Sequence, residues 1–116
     1  MEDVSVLRSG VPHATFHVLE WLVHFVYIVR CADGTLYTGY ARNPRARVAV
    51  HNTGRGARYT SGRRPVSLVY SEECESQGAA LSREYQLKRW TRRRKEALIK
   101  LRKAARSTAG TRPTAR

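Results

Sequence analysis

A chain of 116 residues has room for one domain around one core and not for two ordinary ones. Its 22 Lys and Arg against 9 Asp and Glu leave a formal charge of +13, more than a small domain needs to stay soluble, while 41% hydrophobic residues argue against a disordered polycation. The excess predicts a polyanionic partner, nucleic acid above all, and disfavours a membrane surface because the basic residues are spread over several segments instead of lining one amphipathic helix.

Residues 1–20 hold Gly10, Pro12 and scattered polar residues without a sustained period, and are expected to form a flexible leader. The start, Met1-Glu2-Asp3, lacks the basic character of a signal peptide, and the most apolar run, Phe16 to Val29, is too short and too interrupted to span a membrane. With Cys31 and Cys74 as the only cysteines and no metal-binding spacing, a cytoplasmic protein is expected.

The domain proper is expected over 21–103. Phe25 to Arg30 is rich in β-branched and aromatic residues and reads as a strand. Asp33-Gly34 supplies a turn, and Leu36-Tyr37-Thr38 begins a second strand of a hairpin with Tyr27 on one arm and Tyr37 on the other. A two-residue turn at Asp33-Gly34 would put the two phenols on opposite faces. A three-residue loop, Asp33-Gly34-Thr35, sets Ala32 opposite Leu36 and brings both onto one face, which is the arrangement expected here.

Asn43-Pro44 is a helix start, with Asn as cap and Pro at the first helical position. The helix should run to about Asn52 with Ala46, Ala49 and Val50 as its apolar stripe, and with Arg47 and His51, four apart, on a neighbouring face. The segment GRGARYTSGRR, Gly54 to Arg64, reads as a basic loop or short helical turn. It can bring Arg55, Arg58, Arg63 and Arg64 up to phosphates, though a plain solvated connection fits it nearly as well. Pro65 then leads into a third strand in which Val66, Leu68 and Tyr70 alternate with Ser67, Val69 and Ser71.

Ser76 can cap a helix carrying Ala80, Leu81, Glu84, Leu87 and Lys88 at helical spacing. Glu84 falls within the apolar stripe, so its carboxylate needs a cation. That is either an ion pair with Arg47 or Lys88, or a metal such as Mg²⁺, which often takes only one or two protein carboxylates. Thr91 caps the last helix, whose first turn is crowded by Arg92, Arg93, Arg94 and Lys95 against the helix dipole. A phosphate bound near that end would offset the repulsion, while Leu98, Ile99 and Leu101 dock the helix on the core. Trp90 reads as a packing wedge, and residues 104–116 as a disordered basic tail.

Taken in order, Phe25-Val26-Tyr27, Tyr37-Thr38-Gly39, Arg47, His51-Asn52, the segment from Gly54 to Glu73 and Glu84 resemble the GIY-YIG nuclease superfamily, and in particular its small single-domain bacterial group. Phe25 and Val26 stand where that family's first motif has glycine and isoleucine, and Thr38 replaces the central isoleucine of the second. None of these changes removes a polar group. The resemblance implies an α+β fold, a three-stranded antiparallel sheet flanked by helices, and divalent-metal-dependent cleavage of DNA phosphodiester bonds.

By the same resemblance Glu84 would hold the metal, Mg²⁺ or Mn²⁺, and Arg47 would stabilise the phosphate. Tyr37 would act as base or water-positioning group with Tyr27 as its partner, or the two exchanged, and His51 would relay the proton. Arg55, Arg58, Arg63, Arg64, Lys88, Arg92 and Arg93 are the expected nucleic-acid contacts. Without an attached recognition domain, cleavage should be structure-selective or weakly specific, on branched or single-stranded DNA, with RNA left open, by a monomer or weak dimer. The alternative is a non-catalytic basic nucleic-acid-binding module, which would need the positive surface but not a carboxylate within it.

Overall fold

The computed structural model describes residues 23–115, with side chains through residue 105; the leader expected over 1–20 lies outside the described residues. Strand β1 (His24–Arg30) lies at the centre of a three-stranded antiparallel sheet, flanked by β2 (Leu36–Ala41) and β3 (Ser67–Cys74). Helix α1 (Pro44–Asn52) and the single turn α2 (Arg58–Ser61) follow β2, and α3 (Gln77–Lys88) and α4 (Arg92–Ala115) follow β3. This is the α+β fold that the sequence predicts.

The hairpin puts both tyrosines on one face, through a loop one position earlier than expected. Arg30 pairs with Leu36, Cys31 N–H donates to Thr35 O at 2.8 Å, and Gly34 N–H donates to Cys31 O at 2.9 Å. The loop is therefore Ala32-Asp33-Gly34, with Gly34 at φ +86° where L side chains are strained. The shift moves the register by two, which preserves parity: Tyr27 lies opposite Gly39 and Val29 opposite Tyr37.

β3 departs from the expected alternation. A bulge against β1 between Ile28 and Val29 leaves Val69 as the extra residue, so Leu68 and Tyr70 serve opposite faces of the sheet. Val66 and Leu68 pack with Tyr27, Val29, Cys31 and Ala41 on one side. Tyr70 packs with Ile28 and Ile99 on the other, beside the cluster of Val26, Ala80 and Leu87.

The caps form where the sequence predicts them. Asn43 Oδ1 accepts from Ala46 N at 3.1 Å, Ser76 Oγ from Ala79 N at 3.0 Å, and Thr91 Oγ1 from Arg94 N at 3.2 Å. The buried faces of the helices fall elsewhere. α1 buries Pro44 and His51, with Val48 packed between, while Ala46, Ala49 and Val50 are exposed. In α3 Ala80 and Leu87 are buried but Leu81 is exposed, and Leu101 of α4 faces solvent although Leu98 and Ile99 dock. Trp90 wedges against the Val26 cluster with the Arg94 guanidinium 3.9 Å from its ring centre.

The crowded cations that open α4 have an acid one turn in, since Glu96 takes both Arg30 nitrogens, at 2.7 and 2.9 Å, and lies 3.5 Å from Arg92. Where composition predicts a disordered tail from residue 104, the backbone is helical to Ala115. Ala104, Ala105 and Arg106 are good helix formers that carry the turn onward.

Candidate active site

The site grows from the sheet face that carries Tyr27. Tyr27 is 1% exposed, and its ring lies over Gly39 on β2, so close that a Cβ there would come within 2.5 Å of the phenol oxygen. Helix α1 crosses this face and delivers His51, also 1% exposed, from its last turn. Tyr27 Oη and His51 Nε2 are 2.8 Å apart. On the far side of the imidazole, Nδ1 is 2.8 Å from Thr60 Oγ1, and the Thr60 hydroxyl donates to Ala57 O at 3.2 Å.

That last bond sets the direction of the chain. Thr60 spends its proton on a carbonyl and so accepts from His51 Nδ1–H, which leaves Nε2 as an acceptor for the Tyr27 hydroxyl. Burial, and then the Arg47 charge, hold the His51 pKa below its ordinary value, so the imidazole is neutral at pH 7. Burial first, then Tyr37, push the Tyr27 phenol up to about 12; Arg47 eases its ionisation and Glu84 opposes it.

Arg47 therefore stands at the mouth of this network from one side, its Nη1 3.5 Å from Tyr40 O of the edge strand. α3 approaches the same edge from the other side of the sheet. Glu84 has only 18% of its side chain exposed, and Lys88 Nζ lies 3.2 Å from its Oε2. The Lys88 ammonium also lies 5.8 Å from the centre of the Tyr37 ring, and that ring meets His51 edge-on at 5.3 Å. The five polar residues singled out in the sequence, Tyr27, Tyr37, Arg47, His51 and Glu84, thus gather at one end of the sheet.

The basic residues expected on nucleic acid divide into two sets. Arg55, Arg58, Arg64, Lys88, Arg92 and Arg93 are exposed. Arg63 instead binds the hairpin tip, with Nε donating to Asp33 Oδ2 at 3.0 Å and its guanidinium 4.1 Å from the Tyr59 ring centre. Tyr59 in turn stacks on Tyr37 at 5.8 Å, so the basic loop is tied to the site rather than merely solvated.

Sequence reasoning gave no role of their own to three supports that lie within the stretch carrying the family resemblance. Thr60 aligns His51. Gly56 leaves room for it, because a Cβ there would collide with His51 Nδ1. Asn52 clamps the entry of β3, donating to Val66 O at 3.0 Å and accepting from Val66 N at 2.7 Å. The Gly-rich composition of the loop was the available signal for Gly56.

A family model described as the GIY-YIG catalytic domain matches residues 23–97, the stretch that builds the sheet, the network and the Glu84 helix. The chain belongs to the GIY-YIG family. This makes it a member of a nuclease family, whose substrates are nucleic acids and whose enzymes generally use a divalent metal. It is 60% identical over 77 residues to a UPF0213 protein of Staphylococcus aureus strain Mu3, a match that covers 66% of this chain and 94% of that protein.

Two solution NMR structures are similar. A UPF0213 protein from Bacillus halodurans shares 43% identity at a TM-score of 0.45, and a protein from E. faecalis 38% at 0.48. Each match covers 68% of this chain and 84% of the other. No helix among the described residues is long and apolar enough to cross a membrane.

The GIY-YIG chain offers a metal a spare donor set. Among the described residues no group of three or more His, Cys, Asp or Glu gathers as a metal site, which does not suit a zinc centre. A single, largely covered carboxylate at Glu84 does suit a hydrated hard cation that draws its remaining ligands from water and a substrate phosphate.

Proposed function

We propose that this GIY-YIG protein is a divalent-metal-dependent endonuclease that hydrolyses DNA phosphodiester bonds with structure selectivity or weak sequence specificity. The observation that carries the reading is the directed chain from Tyr27 through His51 to Thr60, with Arg47 at its mouth and Glu84 beside it. A phenol is a poor base at neutral pH unless its own proton has somewhere to go. Here Tyr27 donates to a neutral imidazole and keeps its oxygen lone pairs for a water.

A water attacking phosphorus in line gives its proton to Tyr27 Oη as the Tyr27 proton passes to His51 Nε2. This favours the exchanged order of the two tyrosines, Tyr27 as base and Tyr37 as the group that positions water. Arg47 suits the phosphate as charge builds on it, since a guanidinium presents several donors to phosphate oxygens. Glu84 would hold Mg²⁺ or Mn²⁺, which when bound would polarise the phosphate and neutralise the leaving oxygen. Lys88 must then release Glu84, and the freed ammonium is placed to meet a second phosphate. Arg55, Arg58, Arg64, Arg92 and Arg93 supply sequence-independent contacts.

The Glu84–Lys88 pair also favours a second reading, since a carboxylate that already has its cation needs no metal, as in a non-catalytic nucleic-acid-binding module. Incubating the full chain with branched, nicked and single-stranded DNA, with and without Mg²⁺ or Mn²⁺, separates the two. The nuclease reading expects metal-dependent cleavage that disappears in Glu84→Ala. Binding without cleavage, or cleavage that persists in that variant, defeats it.

A further inference from the structure

Helix α1 carries more apolar surface than the core takes. Pro44, Val48 and His51 turn inward, while Ala46 and Val50, one turn apart on another face, are exposed, Val50 at 42%. They border an open cleft of about 410 Å³ between the start of α1, the end of β2 and the first turn of α3. Such a volume lies within the roughly 300–1,000 Å³ typical of small-molecule sites. Arg47 belongs both to this cleft and to the mouth of the Tyr27–His51 network. Arg42 borders it as well, Gln77 closes the α3 side, and no acidic residue lines it among the described residues. Tyr40 also borders it, and its side chain is held in place, the hydroxyl 2.8 Å from His24 Nδ1 and the ring stacked on that histidine.

Resting on the nuclease reading, we propose that this cleft seats the nucleoside joined to the phosphate that Arg47 holds. The two ends have the chemistry of the two halves of a nucleotide. Arginine at the mouth suits the anion, whereas Ala46 and Val50 offer nothing to a phosphate but can pack against a flat base. The Gln77 carboxamide supplies one donor group and one acceptor to the edge of that base. The cleft thereby fixes which backbone bond stands before Tyr27 and gives base preference to a protein whose other contacts read only charge.

The full chain without metal is titrated with each deoxynucleoside 5′-monophosphate and, separately, with inorganic phosphate, and backbone amide shifts are followed by NMR. Nucleotides should move the resonances of Ala46, Val50 and Gln77, and inorganic phosphate only those around Arg47; nucleotide shifts confined to the phosphate set would overturn the proposal. Ala46→Trp, a change at an exposed position checked by its melting curve, should abolish the nucleotide shifts. It should also raise KM for an oligonucleotide about tenfold, the order expected for one lost base contact, at unchanged kcat. Gln77→Ala should level the affinities for the four nucleotides.

Two failures are distinguishable. If the wild type cleaves and Ala46→Trp cleaves at the same KM, the cleft assignment is wrong and the nuclease reading stands. If the wild type never cleaves, the nuclease reading falls, and the nucleotide shifts decide the cleft by themselves.

Discussion

Strand β1 has two equally dry faces, both packed by apolar side chains, and only one of them also carries a buried chain of hydrogen bonds. On one, Val26 and Ile28 meet Ala80, Leu87, Tyr70 and Ile99 through non-directional apolar contact. On the other, Tyr27 is as buried as they are, but a succession of aligned hydrogen bonds satisfies it, and each link fixes the proton of the next. The first kind of burial tolerates repacking and holds the fold. The second tolerates no change of donor or acceptor, and under the proposed mechanism that same exactness is what would let a proton move. Depth alone therefore does not separate scaffold from site; the kind of satisfaction does.

Substitutions should pull the two faces apart. Glu84→Ala should reduce metal-dependent cleavage at least about a thousandfold, since it removes several kcal/mol of electrostatic stabilisation, while the melting curve stays nearly unchanged. Leu87→Ala should do the opposite. Denaturant titration should show a loss of about 2–5 kcal/mol from the cavity, with kcat of the folded fraction intact.

His51→Asn lies on the boundary. Cleavage should fall about a hundredfold or more with loss of the proton acceptor, and stability by about 1–3 kcal/mol because Tyr27 and Thr60 lose a partner. Thr60→Val, which keeps shape and removes the acceptor, should cost about tenfold in kcat, through the freed tautomer, with KM unchanged.

The smallest expected effect is on pH. His51 has its pKa lowered in the fold, so the unfolded chain binds more protons as pH drops below its ordinary value near 6.5. Its contribution to stability is present above that pH and lost on acidification. Tyr27 runs the other way: raised to about 12, it contributes below the ordinary phenol value of 10.0 and loses that contribution as pH rises toward 12. Urea midpoints of wild type and His51→Asn, compared from pH 5 to 8, should converge at the acid end.

Much of the frame was legible because its causes are short-range. The parity of the hairpin follows from a glycine that accepts positive φ, although the loop sits one residue earlier than Asp33-Gly34 alone suggests. Asn43, Ser76 and Thr91 cap their helices because the bond spans only three residues. The buried faces were less legible. Ala46, Ala49 and Val50 look like a core stripe by hydropathy, yet α1 buries His51 instead, because that imidazole finds a partner for each nitrogen in residues 24 and 9 positions away. Leu68 and Tyr70 read as one face until a bulge parts them.

By itself, then, the sequence determined the strands, the helix starts, the charge and the cast of polar residues, through steric and hydrogen-bonding rules that act within a few positions. Only the tertiary structure decided which of those residues meet. A buried polar group is stable only beside a partner the fold brings from elsewhere, and Thr60, Gly39 and Gly56 become parts of a site only once Tyr27 and His51 are laid across them.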